Sequence, residues 1–223
     1  MTIAPDHAAR REFILANTSP IAPPHVPEIR LHLAHEAHYL WLRTEKELDE
    51  IGLEPPFWAF AWAGGQGLAR HVLDLRELVR GKRVLDFASG SGIVAIAAAL
   101  AGASQVTACD IDPFCAAAVE LNAAANGVAI AFIAEDLTSR PLEHNAFDII
   151  LAGDVFYDSA MTQRIVPWFE AARSAGCTIL AGDPGRSYLP QSKLKPLAVY
   201  EVPVTRALED SEVKRTTVWE FEG

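Results

Sequence analysis

The sequence contains no charge-free apolar run near the roughly 20 residues a membrane-spanning helix needs, so nothing in it calls for a membrane. Positive charge is scarce as well: 19 Lys and Arg stand against 29 Asp and Glu, for a formal net charge of -10. Proteins that grip nucleic acid meet its phosphates with Lys and Arg, so the balance argues against that partner. A basic patch or a lysine on another protein suits it better. The three cysteines, Cys109, Cys115 and Cys177, are odd in number, unclustered and set in apolar stretches. They read as reduced core thiols of a reducing compartment. The first twenty residues lack a signal-peptide core, and Asp6 and Glu12 weaken a transit-peptide reading. The expectation is a cytoplasmic, bacterial-type protein, or one of the mitochondrial matrix if the source is a eukaryote. Internal repeats and low-complexity segments are also missing.

What is present is a chain of 223 residues, 50% hydrophobic, enough to build the core of one α/β domain. It is organised around Lys82–Asp112, which reads as strand, glycine turn, buried helix and second strand. Val84-Leu85 leads into Asp86, followed by Phe87-Ala88-Ser89-Gly90-Ser91-Gly92, where Gly90 and Gly92 allow a sharp turn and close approach to a ligand. Ile93–Ala101 is apolar nearly all round, as in a helix packed on a sheet. Gln105–Asp110 forms the next strand, and Asp110 falls where a nucleotide site wants a carboxylate for ribose hydroxyls. A dinucleotide fingerprint would carry a third glycine, but Ile96 stands at that position. An anionic Asp86 is awkward beside a pyrophosphate and suits a sulfonium or ammonium group. The pattern thus favours S-adenosylmethionine over a dinucleotide, and a merely structural turn is the plain alternative.

Around this centre, Met1–Asn17 holds one short helix, and the four prolines of Thr18–Pro27 exclude regular structure there. The domain expectation is an N-terminal extension over 1–27 and a methyltransferase domain over 28–223. Glu28–Ala34 alternates like a half-exposed strand, and a short helix is expected near Glu45–Ile51. His32, His35 and His38 share a face only on a helix, and the first lies in the expected strand, so no metal is expected. Phe57, Trp58, Phe60 and Trp62 precede Gly64-Gly65-Gln66 and a helical stripe over Gly67–Val79. Either this is a hydrophobic plug, or Trp62 and Gly64 wall the cofactor pocket with Gln66 facing the ligand.

Asp112 caps a helix that starts at Pro113 and stops at Gly127. The strand Ile130–Ala134 ends in Glu135-Asp136-Leu137, where the acid pair is either solvated or accepts from an adenine amino group, the adjacent backbone N–H completing the base edge. The strand Phe147–Ala152 runs into Gly153-Asp154-Val155-Phe156-Tyr157-Asp158, an acid and a phenol where open α/β sheets place ligands. A helix over Ser159–Ala175 is expected to kink or split at Pro167. Thr178–Ala181 leads to the turn Gly182-Asp183-Pro184-Gly185-Arg186, and the last strands are Ala198–Val204 and Lys214–Phe221, with polar Thr205–Val213 between them.

With Asp86, Gly90, Gly92, Asp110 and the D-x-x-Y of Asp154–Tyr157 in hand, the chain resembles the family 16 protein-lysine group of seven-β-strand class I methyltransferases. Pro27–Leu31, Phe57–Gln66, Asp110–Pro113 and Gly182–Arg186 extend the likeness over most of Pro27–Tyr188. Ala88 stands where that family's motif has its first glycine, a departure expected to cost little. The resemblance implies a Rossmann-like fold with a mostly parallel seven-stranded sheet and helices on both faces. It implies S-adenosylmethionine as cofactor and no metal. Trp62, Gly64, Asp86, Ala88, Gly90, Gly92, Asp110, Ile111, Asp136, Leu137 and Gly153 are the implied cofactor residues, with Asp154 and Tyr157 catalytic. The implied acceptors are lysines beside the recognition loop with which the β subunit of electron transfer flavoprotein docks onto dehydrogenases. A ribosomal protein or a small amine is the alternative acceptor. A binding module that keeps the fold without chemistry is the alternative from another class.

Overall fold

In the computed structural model, residues 6–35, 55–143, 145–209 and 211–223 are described. The helix expected near Glu45–Ile51, and His38, lie outside them. Every strand of the sequence reading between Gln105 and the C-terminus is present, with ends moved by a few residues.

The sheet runs β5-β4-β3-β6-β7-β9-β8. Its strands are β3 (Arg83–Phe87), β4 (Gln105–Cys109), β5 (Ala131–Ile133), β6 (Ile149–Gly153), β7 (Thr178–Asp183), β8 (Leu194–Pro203) and β9 (Val213–Phe221). All neighbours are parallel from β5 to β7, and β9 is antiparallel to both β7 and β8. The chain leaves β3 toward β5 and returns to start β6 on the opposite side of β3. The carboxyl ends of β3 and β6 therefore form the switch point where such sheets open a crevice.

Period-2 alternation sends side chains to both faces. Val84, Ile149, Leu151 and Leu180 enter one core, shared with α2 (Ala63–Asp74) and α3 (Ile93–Leu100). Leu85, Phe87, Ile150 and Ile179 enter the other, under Trp168 and Phe169 of α5 (Ser159–Ser174). Burial on both faces explains why these strands are almost purely apolar. The three cysteines are buried free thiols. No helix among the described residues is long and apolar enough to cross a membrane.

Three expectations are corrected. Thr18–Pro27 does contain regular structure: β1 (Ser19–Ile21) pairs antiparallel with β2 (Leu31–Leu33), with Pro20 opposite His32 in a ribbon of only two strands, where a missing N–H is tolerated. The α1 helix (His7–Asn17), capped by the Asp6 carboxylate, packs on α4 (Pro113–Ala125) through fully buried Ile14. The helix after the aromatic stretch begins at Ala63 rather than Gly67, so the double glycine is helical. Of the kink or split expected at Pro167, the split is absent: α5 runs through it, since loss of one backbone donor does not outweigh the burial of Ile165, Trp168 and Phe169.

Candidate active site

A cavity of about 650 Å³, within the usual range for small-ligand sites, lies at the carboxyl ends of β3, β4 and β6. Its cofactor half is built from the turn after β3. Asp86 is 1% exposed, and its Oδ2 accepts from the N–H of Ala95 in the first turn of α3, 2.9 Å away. The Asp110 carboxylate accepts from Gly90 N at 2.9 Å and Asp112 N at 3.0 Å, tying the turn to the end of β4. Burial raises the proton affinity of both acids, that of Asp86 strongly. A cation or hydroxyl donors delivered beside them would offset that penalty. The buried Ser89 hydroxyl, also on the cavity wall, has no hydrogen-bond partner among the described residues. Two buried acids and an orphaned hydroxyl around a cavity of this size fit S-adenosylmethionine, with its sulfonium, amino acid and ribose groups.

The turn itself corrects one expectation. Ala88, Gly90 and Gly92 all take positive φ, at 53°, 50° and 77°. Ala88 is thus a β-carbon in the left-handed region, which costs about 1–2 kcal/mol, and the exchange for glycine is not cheap. Gly92 does not line the cavity. An added Cβ there would meet Val119 Cγ2 at 2.9 Å, so this glycine lets α4 approach the turn.

The acceptor half is built where α2 crosses β6 and β7. Trp62 offers no side-chain cap to α2, so the helix's first N–H groups take partners from far along the chain. Gly65 N donates to Asp154 Oδ2 at 2.9 Å, and Ala63 N to Glu209 Oε1 at 3.4 Å. The crossing is glycine on glycine: a Cβ on Gly64 would lie 2.3 Å from Gly182 O and 2.5 Å from Asp154 Oδ2. One on Gly153 would lie 2.8 Å from Gly65 Cα. This is the close approach that the double glycine signalled: Gly64 meets backbone and Asp154, while Gly65 also lines the cavity.

Asp154, at φ 57° and 9% exposed, accepts at Oδ1 from Arg186 Nε (3.1 Å) and Nη2 (2.7 Å). Burial pushes its pKa up to about 6, against the pull of the Arg186 charge. Arg186 is aimed by its own turn: Asp183 Oδ1 accepts from Gly185 N and Arg186 N, both at 2.7 Å. Arg186 also lies over the Trp62 ring at 5.9 Å and forks onto Glu209 of α6 (Arg206–Glu209). Phe57 stands between Trp62 and Tyr157, with ring centroids 5.8 and 5.6 Å away, and all three line the cavity.

Of the residues singled out in the sequence, Trp62, Asp86, Ala88, Gly90, Asp110, Ile111, Asp136, Gly153, Asp154 and Tyr157 meet around this one cavity. Gly64, Gly92 and Leu137 do not line it. Leu137 turns into the core beneath α5. Gln66, expected to face the ligand, does not line the cavity: it is 3% exposed and donates to Ala61 O at 2.7 Å. Phe156, between Asp154 and Tyr157 in the chain, is fully buried in the core. Asp136 has one oxygen on Thr138 and the other near Arg164 at 3.1 Å, across the cavity mouth. Arg186 lay in a turn the sequence had marked, without a role. Glu209 carried no signal, since it comes from the polar link between β8 and β9.

A family profile described as ribosomal protein L11 methyltransferase (PrmA) matches residues 70–157, which hold β3 through β6 and the D-x-x-Y. Ribosomal protein L11 methylase from Lactobacillus delbrueckii subsp. bulgaricus superposes with a TM-score of 0.52 at 22% identity, over 74% of this chain and 81% of that one, a likeness of fold. The electron transfer flavoprotein beta subunit lysine methyltransferase of Xenopus laevis is 40% identical over 218 residues, 95% of this chain and 87% of the relative. The Homo sapiens protein of the same name is 34% identical over 203 residues, covering 88% and 75%. Because that identity runs through nearly the whole of the sequence, cofactor and acceptor halves alike, the chain belongs to the electron transfer flavoprotein beta subunit lysine methyltransferase family.

Proposed function

We propose that the chain transfers methyl groups from S-adenosylmethionine to lysine side chains beside the recognition loop of the electron transfer flavoprotein β subunit. The observation that carries this reading is the buried Asp154 carboxylate, presented to an aromatic-walled cavity within one site with Asp86 and Asp110. When bound, S-adenosylmethionine supplies an activated methyl group whose transfer needs no acid to help its carrier leave. Asp86 would face its cationic portion and Asp110 its ribose. Ser89 and the backbone of Ala88, Gly90, Ile111 and Gly153 would line its path, with Asp136 beside the adenine.

The chain's own task is to deliver a neutral amine in line with the methyl group, at roughly 3–3.5 Å. A solvated lysine, with a pKa of about 10.4, arrives as the ammonium. Asp154 docks it by accepting one N–H, and Tyr157 with Phe57 and Trp62 walls the aliphatic stem. The apolar walls disfavour the charged amine, and Arg186 offsets the opposing pull of Asp154. The ammonium gives up one proton to the solvent at the cavity mouth, which frees the lone pair that must face the methyl group.

The match to the ribosomal protein L11 methyltransferase profile ends at residue 157, before Arg186 and Glu209. It therefore covers the cofactor half together with Asp154 and Tyr157, but not the Arg186–Glu209 part of the acceptor half, whereas the flavoprotein relatives match over nearly the whole chain. The acidic chain suits a basic protein surface, and its free thiols suit the cytoplasm of a bacterium or the mitochondrial matrix. Mass spectrometry of purified flavoprotein β subunit, incubated with the enzyme and isotope-labelled cofactor, tests the reading. Label on lysines beside the recognition loop is expected. An unlabelled β subunit, with label taken up instead when ribosomal protein or small amines are offered in parallel incubations, would overturn it.

A further inference from the structure

Arg186 and Glu209 stand apart from the Asp86–Asp110 turn and, with Asp154, make a buried ionic cluster beside the cavity. Arg186 Nη2 is shared between Asp154 Oδ1 at 2.7 Å and Glu209 Oε1 at 2.8 Å, and Nη1 donates to Glu209 Oε2 at 3.1 Å. The Glu209 side chain is 1% exposed, and Ala63 N and Lys214 Nζ, the latter 4.0 Å away, lie around it. Asp154 and Arg186 line the cavity, whereas Glu209 stands behind them. An ionised carboxylate offers about four acceptor sites. Arg186 fills two on Oδ1 and Gly65 N fills one on Oδ2, which leaves one for an incoming donor.

We propose that Glu209 and Arg186 are positioning residues for lysine methylation: Glu209 anchors the guanidinium, and the guanidinium aims the one remaining acceptor site of Asp154 at the incoming amine. The inference rests on the lysine-methyltransferase reading above and adds to it the residues that set its geometry. Burying two carboxylates around one guanidinium is a poor way to gain stability, because desolvation offsets most of the attraction. Its effect is directional instead, since a bidentate fork fixes the planes of both carboxylates. It also sets the local charge. The groups facing Asp154 are Arg186 and Asp183 from the end of β7 and its turn, Glu209 from α6 and the N–H of Gly65 from α2. Lys214 of β9 lies behind Glu209. Without Arg186 the acidic groups would hold the lysine as its ammonium. With it, the excess negative charge is small enough to attract the ammonium and still release its proton.

The test measures kcat and KM for the flavoprotein β subunit by label incorporation from pH 6 to 9, and cofactor Kd by titration, in Glu209→Gln, Arg186→Lys and Arg186→Gln. Cofactor Kd is expected to stay within about three-fold in all of them. Glu209→Gln, which keeps one acceptor, should lower kcat/KM about ten-fold. Arg186→Lys, which keeps charge but loses the fork, should lower it about a hundred-fold, the scale of an ångström-sized misplacement. In Arg186→Gln the acid limb of kcat/KM should move to higher pH, because Asp154 loses the charge that favours its ionised form. Wild-type kcat/KM in Arg186→Lys and Glu209→Gln, or an unshifted acid limb in Arg186→Gln, would overturn the inference while leaving the lysine reading intact, even if melting temperatures fall. A wild-type enzyme that labels no lysine overturns the reading and the inference with it.

Discussion

Gly64→Ala perturbs the point on which the acceptor half is assembled. The new Cβ would lie 2.3 Å from Gly182 O and 2.5 Å from Asp154 Oδ2, where ordinary contact begins near 3.4 Å. The first is backbone and the second is pinned by Gly65 and Arg186, so neither yields cheaply. Overpacking of this kind costs about 1–3 kcal/mol, and with two immovable neighbours the upper end applies. Replacing a helical glycine returns up to about 1 kcal/mol of propensity. The net is about 2 kcal/mol, or a fall of about 4–8 °C in Tm for a chain of this size. Gly65→Ala is the control: the same helix and the same propensity gain, but the added carbon meets only Ile93 Cγ2, at 3.2 Å. Thermal unfolding of the two variants beside the wild type is the assay. A Gly64→Ala protein that melts within about 2 °C of both the wild type and Gly65→Ala would refute the interlock.

Further predictions concern the turn, the ribose acid, the pH profile and the partner's charge. Ala88→Gly should raise stability by about 1 kcal/mol, since φ 53° is strained for a β-carbon; an unchanged or lower Tm contradicts this. Asp110→Ala should weaken cofactor binding ten-fold or more by titration while leaving kcat at saturation near wild type, and unchanged affinity would remove Asp110 from the site. The Asp154 pKa is raised from 3.8 to about 6 in the fold, so the folded state holds its proton longer and this group's contribution falls as pH rises through that interval. Asp154→Asn should therefore narrow the loss of Tm between pH 4 and 7, and an unaltered pH dependence would speak against the buried carboxylate. With a net charge of -10, methylation of a basic protein partner should slow as salt screens docking, and a flat rate with ionic strength would count against that surface.

The cofactor half was legible in the sequence because it is local. Asp86, the glycine turn and Asp110 sit at the ends of adjacent strands, and short connections deliver them to one place. Asp154 and Tyr157 were legible for the same reason, as the exit of a strand that could only be central. The acceptor half was legible only in part because its logic is non-local. The start of α2 was misplaced since glycine pairs disfavour helix, a preference overridden here by the need to bring two backbones together. Arg186 could be found through its turn, whose Asp183 binds the following N–H groups, but not its bond to Asp154. Glu209 reaches the site from a polar link after β8, and nothing in its neighbours marks it apart from a solvated acid. The strand at Ser19–Ile21 was hidden by its proline, which a two-stranded ribbon accommodates.

The central claim is that Asp154 receives the acceptor lysine in a site whose cofactor half is independent of it. The most direct measurement is methyl transfer by Asp154→Asn to the flavoprotein β subunit at saturating labelled cofactor, with cofactor Kd measured on the same preparation. Asparagine tolerates the left-handed backbone, so the fold should persist, label incorporation should fall at least a hundred-fold, and Kd should stay within a few-fold. Wild-type transfer by that variant, or loss of cofactor binding in step with activity, would contradict the account.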